Sequence, residues 1–257
     1  MSEIAKEILI CLLAAHFLGD FVFPGDSVAA RKTRPLILFK HAFIVAASGY
    51  FFCGIWDLWQ IPLVIFLTHS LMDHMKAKSK EESVCAFILD QGVHLAIIAA
   101  IVILIVTTKM IPINKPSTLW VEVLGKGFLK FLILVSGLAV SIKGGGILIG
   151  LAVKPFTDEL KKEQERKNSD EALVSRGFER GGKIIGYLER GMIFLFILTG
   201  QPGSIGFLIA AKSIFRFGEI KERQNRLEAE YIIIGTLMSF GYGIFIAYAT
   251  QFFLSKL

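Results

Sequence analysis

The charges of this sequence are segregated. Residues 154–183 and 216–230, 45 of the 257 positions, hold 23 of the 50 Asp, Glu, Lys and Arg side chains. What is left is a succession of apolar runs, each near the roughly 20 residues that an α-helix needs to cross hydrocarbon. Backbone inside a bilayer has no water to bond with, so such runs must close their own hydrogen bonds as helices. A mean hydropathy of +0.61 agrees, as do the 24 glycines, a residue better tolerated in membrane helices than in soluble ones. The pattern predicts an all-α fold: a polytopic transmembrane helical bundle of about seven or eight helices with a charged cytoplasmic linker.

Apolar periodicity and breakers predict helices at 8–23, 36–55, 60–75, 84–106, 119–141, 184–200, 204–217 and 231–253, with Pro24, Pro35, Pro62, Pro112 and Pro202 at or near the breaks. Three regions follow. Residues 1–142 form an N-terminal transmembrane bundle, 143–183 a re-entrant or interfacial segment followed by a charged linker, and 184–257 the C-terminal transmembrane helices. The linker string "TDELKKEQERK" alternates in sign, as a solvated helix does. The N-terminal "MSEIAKE" does not read as a cleaved signal peptide, since it carries two Glu against one Lys. Cys11, Cys53 and Cys85 are scattered in or near apolar segments and read as small buried hydrophobes.

The net charge of +6 matters for orientation, and no nucleic-acid partner is expected. With both termini outside, loops 24–35, 74–83, 154–183 and 216–230 face the cytoplasm with 3, 3, 8 and 4 basic residues, against Lys6, Lys109, Lys115 and Lys256 opposite. Cytoplasmic loops collect Lys and Arg, so this bias fixes the topology.

In this orientation an ionisable layer emerges. Residues 16–20 read "HFLGD" and residues 69–73 read "HSLMD", both His-x-Leu-x-Asp. The fourth helix runs the other way and carries the pair reversed, "DQGVH", Asp90 then His94. Each pair is spaced i,i+4 and so shares a helix face. His16, His69 and His94 are expected at one depth and Asp20, Asp73 and Asp90 at another about 6 Å lower, with His41 near the same zone. Ionisable groups inside a membrane are costly and mark function. Imidazole and carboxylate suit a transition metal, zinc foremost, with manganese or iron as alternatives. His16, Asp20, His41, His69, Asp73, Asp90 and His94 are the candidate ligands. Asp20, Asp73 and Asp90 are also the candidate catalytic bases, or partners that orient the histidines. Seven candidates exceed one zinc site, which leaves room for two metals. A hydrogen-bonded structural network and a proton or ion relay remain open. His74, beside Lys76 and Lys78, reads as a surface residue.

At these residues a resemblance can be stated. "HFLGDFVF", "LILFKH", "HSLMDHMK" and "DQGVH", with "GKIIGYLERGMIFLFILTGQPGSIGFLIAAKSIFRF" and "AEYIIIGTLMSF" further on, resemble an uncharacterised bacterial membrane family, domain of unknown function 3307. The resemblance implies a bacterial inner (cytoplasmic) membrane location and no settled activity. One departure is "VFPGD", where the family leads one to expect Gln after "GDF".

The second half adds Glu189 and Arg190 within one apolar helix, and Lys212, Ser213 and Arg216 within another. Glu189 and Arg190 read as helix-pairing charges. Lys212 reads either as a partner of Glu189, which could also pair with Arg190, or, with Ser213 and the i,i+4 Arg216, as a site for an anionic lipid or polyprenyl-phosphate head group. Glu122, Lys126 and Lys130 are expected to pair along one helix and to snorkel. No His-Glu-x-x-His, G-x-S-x-G or Walker motif occurs. The leading expectation is a membrane-embedded metal-dependent hydrolase working on a lipid or lipid-linked substrate from the cytoplasmic leaflet, its partners being membrane lipids. An ion- or proton-coupled transporter and a non-catalytic scaffold are the alternatives. The topology is testable: cysteines introduced as Ser27→Cys and Ser79→Cys are expected to resist an impermeant thiol reagent in intact cells and to react after lysis. Labelling of either one in intact cells would invert the orientation.

Overall fold

The first helix, α1 (Glu3–Phe21), carries too many ionisable groups to face lipid and too many apolar ones to face water, so it is enclosed by its neighbours. The structure is a computed structural model and describes residues 2–23, 35–79, 83–110, 117–166, 181–217 and 226–257. The described chain forms two compact units, Met1–Ala139 with Phe253–Leu257, and Val140–Phe252. It is helical, with no strand among the described residues.

In the first unit α1 is followed by α2 (Pro35–Cys53), α3 (Gln60–Ser79), α4 (Val84–Thr107), α5 (Leu119–Leu124) and α6 (Gly127–Ala139). Pro35 opens α2, where its missing N–H costs nothing. Ser83 caps α4 by accepting from the Ala86 N–H at 3.1 Å. α1 packs against α2, α4 and α6, while α3 packs against α2 and α4. Ala5, Ile8, Cys11, Leu12, Ala14 and Ala15 of α1 are all buried. Glu7 is buried too, and its carboxylate accepts from the Thr118 N–H at 2.7 Å and the Ser117 hydroxyl at 3.2 Å. That anchors the start of α5 to α1 with an anion where a helix N-terminus favours one.

Two expectations about elements change. The single helix expected at 119–141 is two, because Gly125 takes φ +67° and the chain turns there. Glu122 and Lys130 therefore lie on different helices, and Lys126 bonds the Leu257 carbonyl at 3.1 Å instead of a row of helix neighbours. Cys85 is exposed, whereas Cys11 and Cys53 are buried.

In the second unit a π-turn (Val140–Gly144) runs into α7 (Gly145–Arg166), followed by α8 (Gly181–Leu198), α9 (Ser204–Phe217) and α10 (Arg226–Leu254). Residues 143–156, read from sequence as a re-entrant or interfacial turn, are helical throughout. The π-turn leaves main-chain carbonyls out of the regular ladder, and side chains of this unit take them up. Arg190 donates to the Ile142 carbonyl at 3.0 Å and to the Ser239 hydroxyl at 2.7 Å, and the Tyr242 hydroxyl donates to the Val140 carbonyl at 3.2 Å. The glycines of "KGGGIL" make room for this lock. A Cβ at Gly145 or Gly146 would stand 2.7 Å from the Tyr242 or the Tyr187 ring respectively.

Among the described residues, four stretches are long and apolar enough to cross a membrane: Leu36–Cys53, Val84–Thr107, Gly127–Leu160 and Glu230–Leu254. Ser204–Ile214 is apolar but short. α1 and α3 fall outside this set because their apolar runs are interrupted by the acids, bases and histidines taken up below.

The close approach of α1 and α2 yields a prediction. A Cβ at Gly19, inside "HFLGD", would lie 2.6 Å from Val45 Cγ2. Gly19→Ala is expected to cost about 1–3 kcal/mol through overpacking, and adding Val45→Ala should raise the melting temperature above that of the single variant. A Gly19→Ala protein that melts like the wild type would refute the close approach.

Candidate metal centre

Four helices of the first unit each deliver polar side chains to one place: α1 His16 and Asp20, α2 His41, α3 His69 and Asp73, and α4 Asp90, Gln91 and His94. The i,i+4 spacing turns each His–Asp pair inward, and the reversed order on α4 matches its reversed direction. The four histidines are no more than 4% exposed, and their rings lie against one another, His16 and His94 stacked and His69 tilted against both His41 and His94. Ring centroids are 4.4 Å apart for His69 and His94, 5.0 Å for His41 and His69, and 5.1 Å for His16 and His94.

The tightest part lies between α1, α2 and α3. His41 Nε2 and His69 Nε2 are 3.1 Å apart. Asp20 Oδ1 lies 3.3 Å from the first and 3.4 Å from the second. Asp73 Oδ2 lies 3.6 Å and 3.8 Å from the same two atoms. Each carboxylate oxygen thus closes a near-equilateral triangle with two imidazole nitrogens. Nearest donors around a tetrahedral ion with bonds of about 2.0–2.2 Å are about 3.3–3.6 Å apart, the bond length times the tetrahedral ratio. His41, His69 and Asp73 can hold a metal ion, as can His16 with Asp20 and His69, and Asp73 with Asp90 and His94.

The polar accounting points the same way. Asp20 Oδ1 and Asp73 Oδ2 are buried and have no hydrogen-bond partner among the described residues. An unsatisfied buried carboxylate oxygen costs more than a neutral group would. The two facing Nε2 atoms cannot both carry a proton without pushing hydrogen against hydrogen. At most one proton therefore lies between the two Nε2 atoms, so at most one of these two rings is cationic, set against two carboxylates.

Around this core other groups fix orientation. Gln91 pairs through Oε1 with His16 Nε2 at 3.2 Å, and its amide donates to Asp20 Oδ2 at 3.1 Å. His94 Nδ1 donates to the Asp90 carbonyl at 2.8 Å, which leaves Nε2 with a lone pair and no partner among the described residues. Lys76 reaches Asp90 Oδ2 at 2.5 Å. A cavity of about 20 Å³ adjoins His16, His69 and His94, with walls of Leu12, Ala15, Val45, Ile65 and Ile98. It is large enough for one water.

The structure brings the seven candidate ligands into one cluster. His74 is exposed. Gln91 and Lys76 belong to the cluster although sequence reading passed over them. Gln91 stands inside the quoted "DQGVH", and a lone amide in an apolar run was the available signal. Lys76 had none, because its partner is 14 residues away on another helix.

The second unit pairs one of its lysines internally. Lys212 ion-pairs with Glu189 at 2.8 Å, and its ammonium lies 5.8 Å from the Phe240 ring centroid. Ser213 donates to the Ile209 carbonyl at 2.9 Å, within its own helix. The Arg216 side chain lies outside the described residues. Arg190 does not join the Glu189–Lys212 pair but holds the π-turn, as above.

Residues 8–121 match the model of a family described as a protein of unknown function, DUF3307. The matched stretch contains all seven His and Asp candidates, and the C-terminal strings of the resemblance lie beyond it. No curated protein and no solved structure matches the chain.

The Glu189–Lys212 pair makes a prediction of its own. Lys212→Met leaves a buried carboxylate unpaired and is expected to lower stability by about 3 kcal/mol, while the Glu189→Gln/Lys212→Met double variant should recover part of it. Thermal melts of the three proteins decide the matter. A double variant no better than the single one would mean that the pair does not act as a pair.

Proposed function

We propose that the first unit is the working part of a membrane-embedded metal-dependent hydrolase, with one divalent transition metal held by His41, His69, Asp20 and Asp73. The observation that carries this reading is the pair of triangles, with edges of 3.1–3.8 Å, that two carboxylate oxygens form on His41 Nε2 and His69 Nε2. Charge balance supports it. With neutral histidines the layer holds three carboxylates, Asp20, Asp73 and Asp90, against the Lys76 ammonium, so one divalent ion brings the sum to zero. In a low-dielectric bundle that neutrality is worth more than any single hydrogen bond. Nitrogen and oxygen donors without thiolate favour zinc, with manganese or iron able to use the same set.

Once bound, such an ion supplies Lewis acidity and a water nucleophile usable near neutral pH. The chain's own groups do the rest. Gln91 holds His16 and Asp20 in register, the Asp90 carbonyl sets the His94 tautomer, and the cavity beside His16, His69 and His94 admits one small molecule and little bulk water. The donors lie on helices of an apolar bundle and not on a surface loop, which favours a lipid or lipid-linked substrate over a soluble one. The excess of Lys and Arg in loops 24–35 and 74–83 favours approach from the cytoplasmic leaflet of a bacterial inner membrane.

Metal analysis of the detergent-purified protein tests the reading. The wild type is expected to retain about one transition-metal ion per chain, His69→Ala to lose most of it, and the exposed-site control His74→Ala to keep it. Equal retention in both variants, or no metal in the wild type, would overturn the metalloenzyme and leave the proton or ion relay.

A further inference from the structure

The four donors assigned above leave one side of the ionisable layer unused. There Asp73, Asp90 and His94 each offer a donor atom within 4.8 Å of the other two, and all three residues are buried. Asp90 Oδ1 and His94 Nε2 have no hydrogen-bond partner among the described residues. The His94 lone pair is held ready by the Nδ1–H bond to the Asp90 carbonyl at 2.8 Å. Asp73 is common to this trio and to the trio it forms with His41 and His69, and a carboxylate has two oxygens to give. One cation already attends the place. Lys76 Nζ sits 2.5 Å from Asp90 Oδ2, at the end of a side chain that is 44% exposed and so reaches it from the surface.

We infer a second divalent-metal site at Asp73, Asp90 and His94, joined to the first through Asp73 and occupied in its absence by the Lys76 ammonium. This inference rests on the primary metal reading given under Proposed function. With Lys76 in place, three carboxylates are balanced by one ammonium and one divalent ion. When a second divalent ion displaces Lys76, one positive charge is left over, which a hydroxide taken up from solvent cancels. Two ions sharing a carboxylate are the arrangement that clamps both the attacking and the leaving oxygen in two-metal hydrolysis. Lys76 thereby decides whether the centre carries one ion or two. The second ion belongs to the same class as the first, since oxygen and imidazole donors again stand without sulfur.

Direct metal titration of the purified full-length protein, with Zn²⁺ or Mn²⁺ alone as the probe, separates the two sites without any need for a substrate. The wild type is expected to take one equivalent tightly and a second weakly. Lys76→Met should bind the second equivalent about tenfold tighter, because its resident competitor is gone. Lys76→Gln should do the same should the methionine variant fail to fold. Adding Asp90→Asn to either should abolish the second equivalent and spare the first. A second equivalent bound equally by wild type and both Lys76 variants, or one that survives Asp90→Asn, would overturn the second site while the first stands. No second equivalent in a Lys76 variant that still binds the first would overturn it too. A wild type that binds no ion at all would overturn the primary reading and this one with it.

Discussion

A carboxylate buried in an apolar bundle must find a positive partner within a few ångströms, and this structure is arranged around that requirement. Leaving an ion unpaired in such surroundings costs several kcal/mol, about as much as the net stability of a small domain. Glu189 meets the requirement with Lys212, while Glu7 is held by the neutral N–H and hydroxyl donors at the start of α5. Asp90 meets it with Lys76. Asp20 and Asp73 find imidazoles, which are positive only when protonated. That shortfall distinguishes Asp20 and Asp73 from Asp90 and Glu189, which each have a lysine ammonium.

The same requirement explains why α1 is the enclosed helix. Small residues at Ala15 and Gly19 let α2 approach closely, as expected where helices pack without a hydrophobic drive between them. A close approach is also what brings His41 Nε2 to 3.3 Å from Asp20 Oδ1. Gly19 and Asp20 are neighbours in "HFLGD" for a physical reason: the first permits the contact and the second uses it. The buried arginine of the second unit is a parallel case with a different solution. Arg190 has no carboxylate partner among the described residues and is instead held by carbonyl and hydroxyl oxygens at a π-turn and by the Tyr187 ring.

Much of this was legible in the sequence. Charge segregation and run length announced a helical membrane protein, because hydrocarbon forces a backbone to satisfy itself. The i,i+4 His–Asp pairs, reversed on an antiparallel helix, announced a shared layer, because helical geometry fixes which side chains share a face. His74 could be set apart from the others by its neighbours Lys76 and Lys78, which place it at the membrane exit. None of these inferences needed a contact between distant residues.

What only the tertiary structure decided was pairing. Sequence could not say which of seven candidate ligands approach within 3–4 Å, that Lys76 belongs to Asp90 across 14 residues, or that Gln91 bridges His16 to Asp20. Nor could it choose between Glu189 and an external anion as the partner of Lys212, since both readings place the same residues on the same helix face. The break at Gly125 and the π-turn at Val140–Gly144 were hidden in the same way, because glycine permits such backbone without requiring it. Periodicity assigns a residue to a face. Its partner there is set by how closely the facing helices approach, and that depends on small side chains far away in the chain.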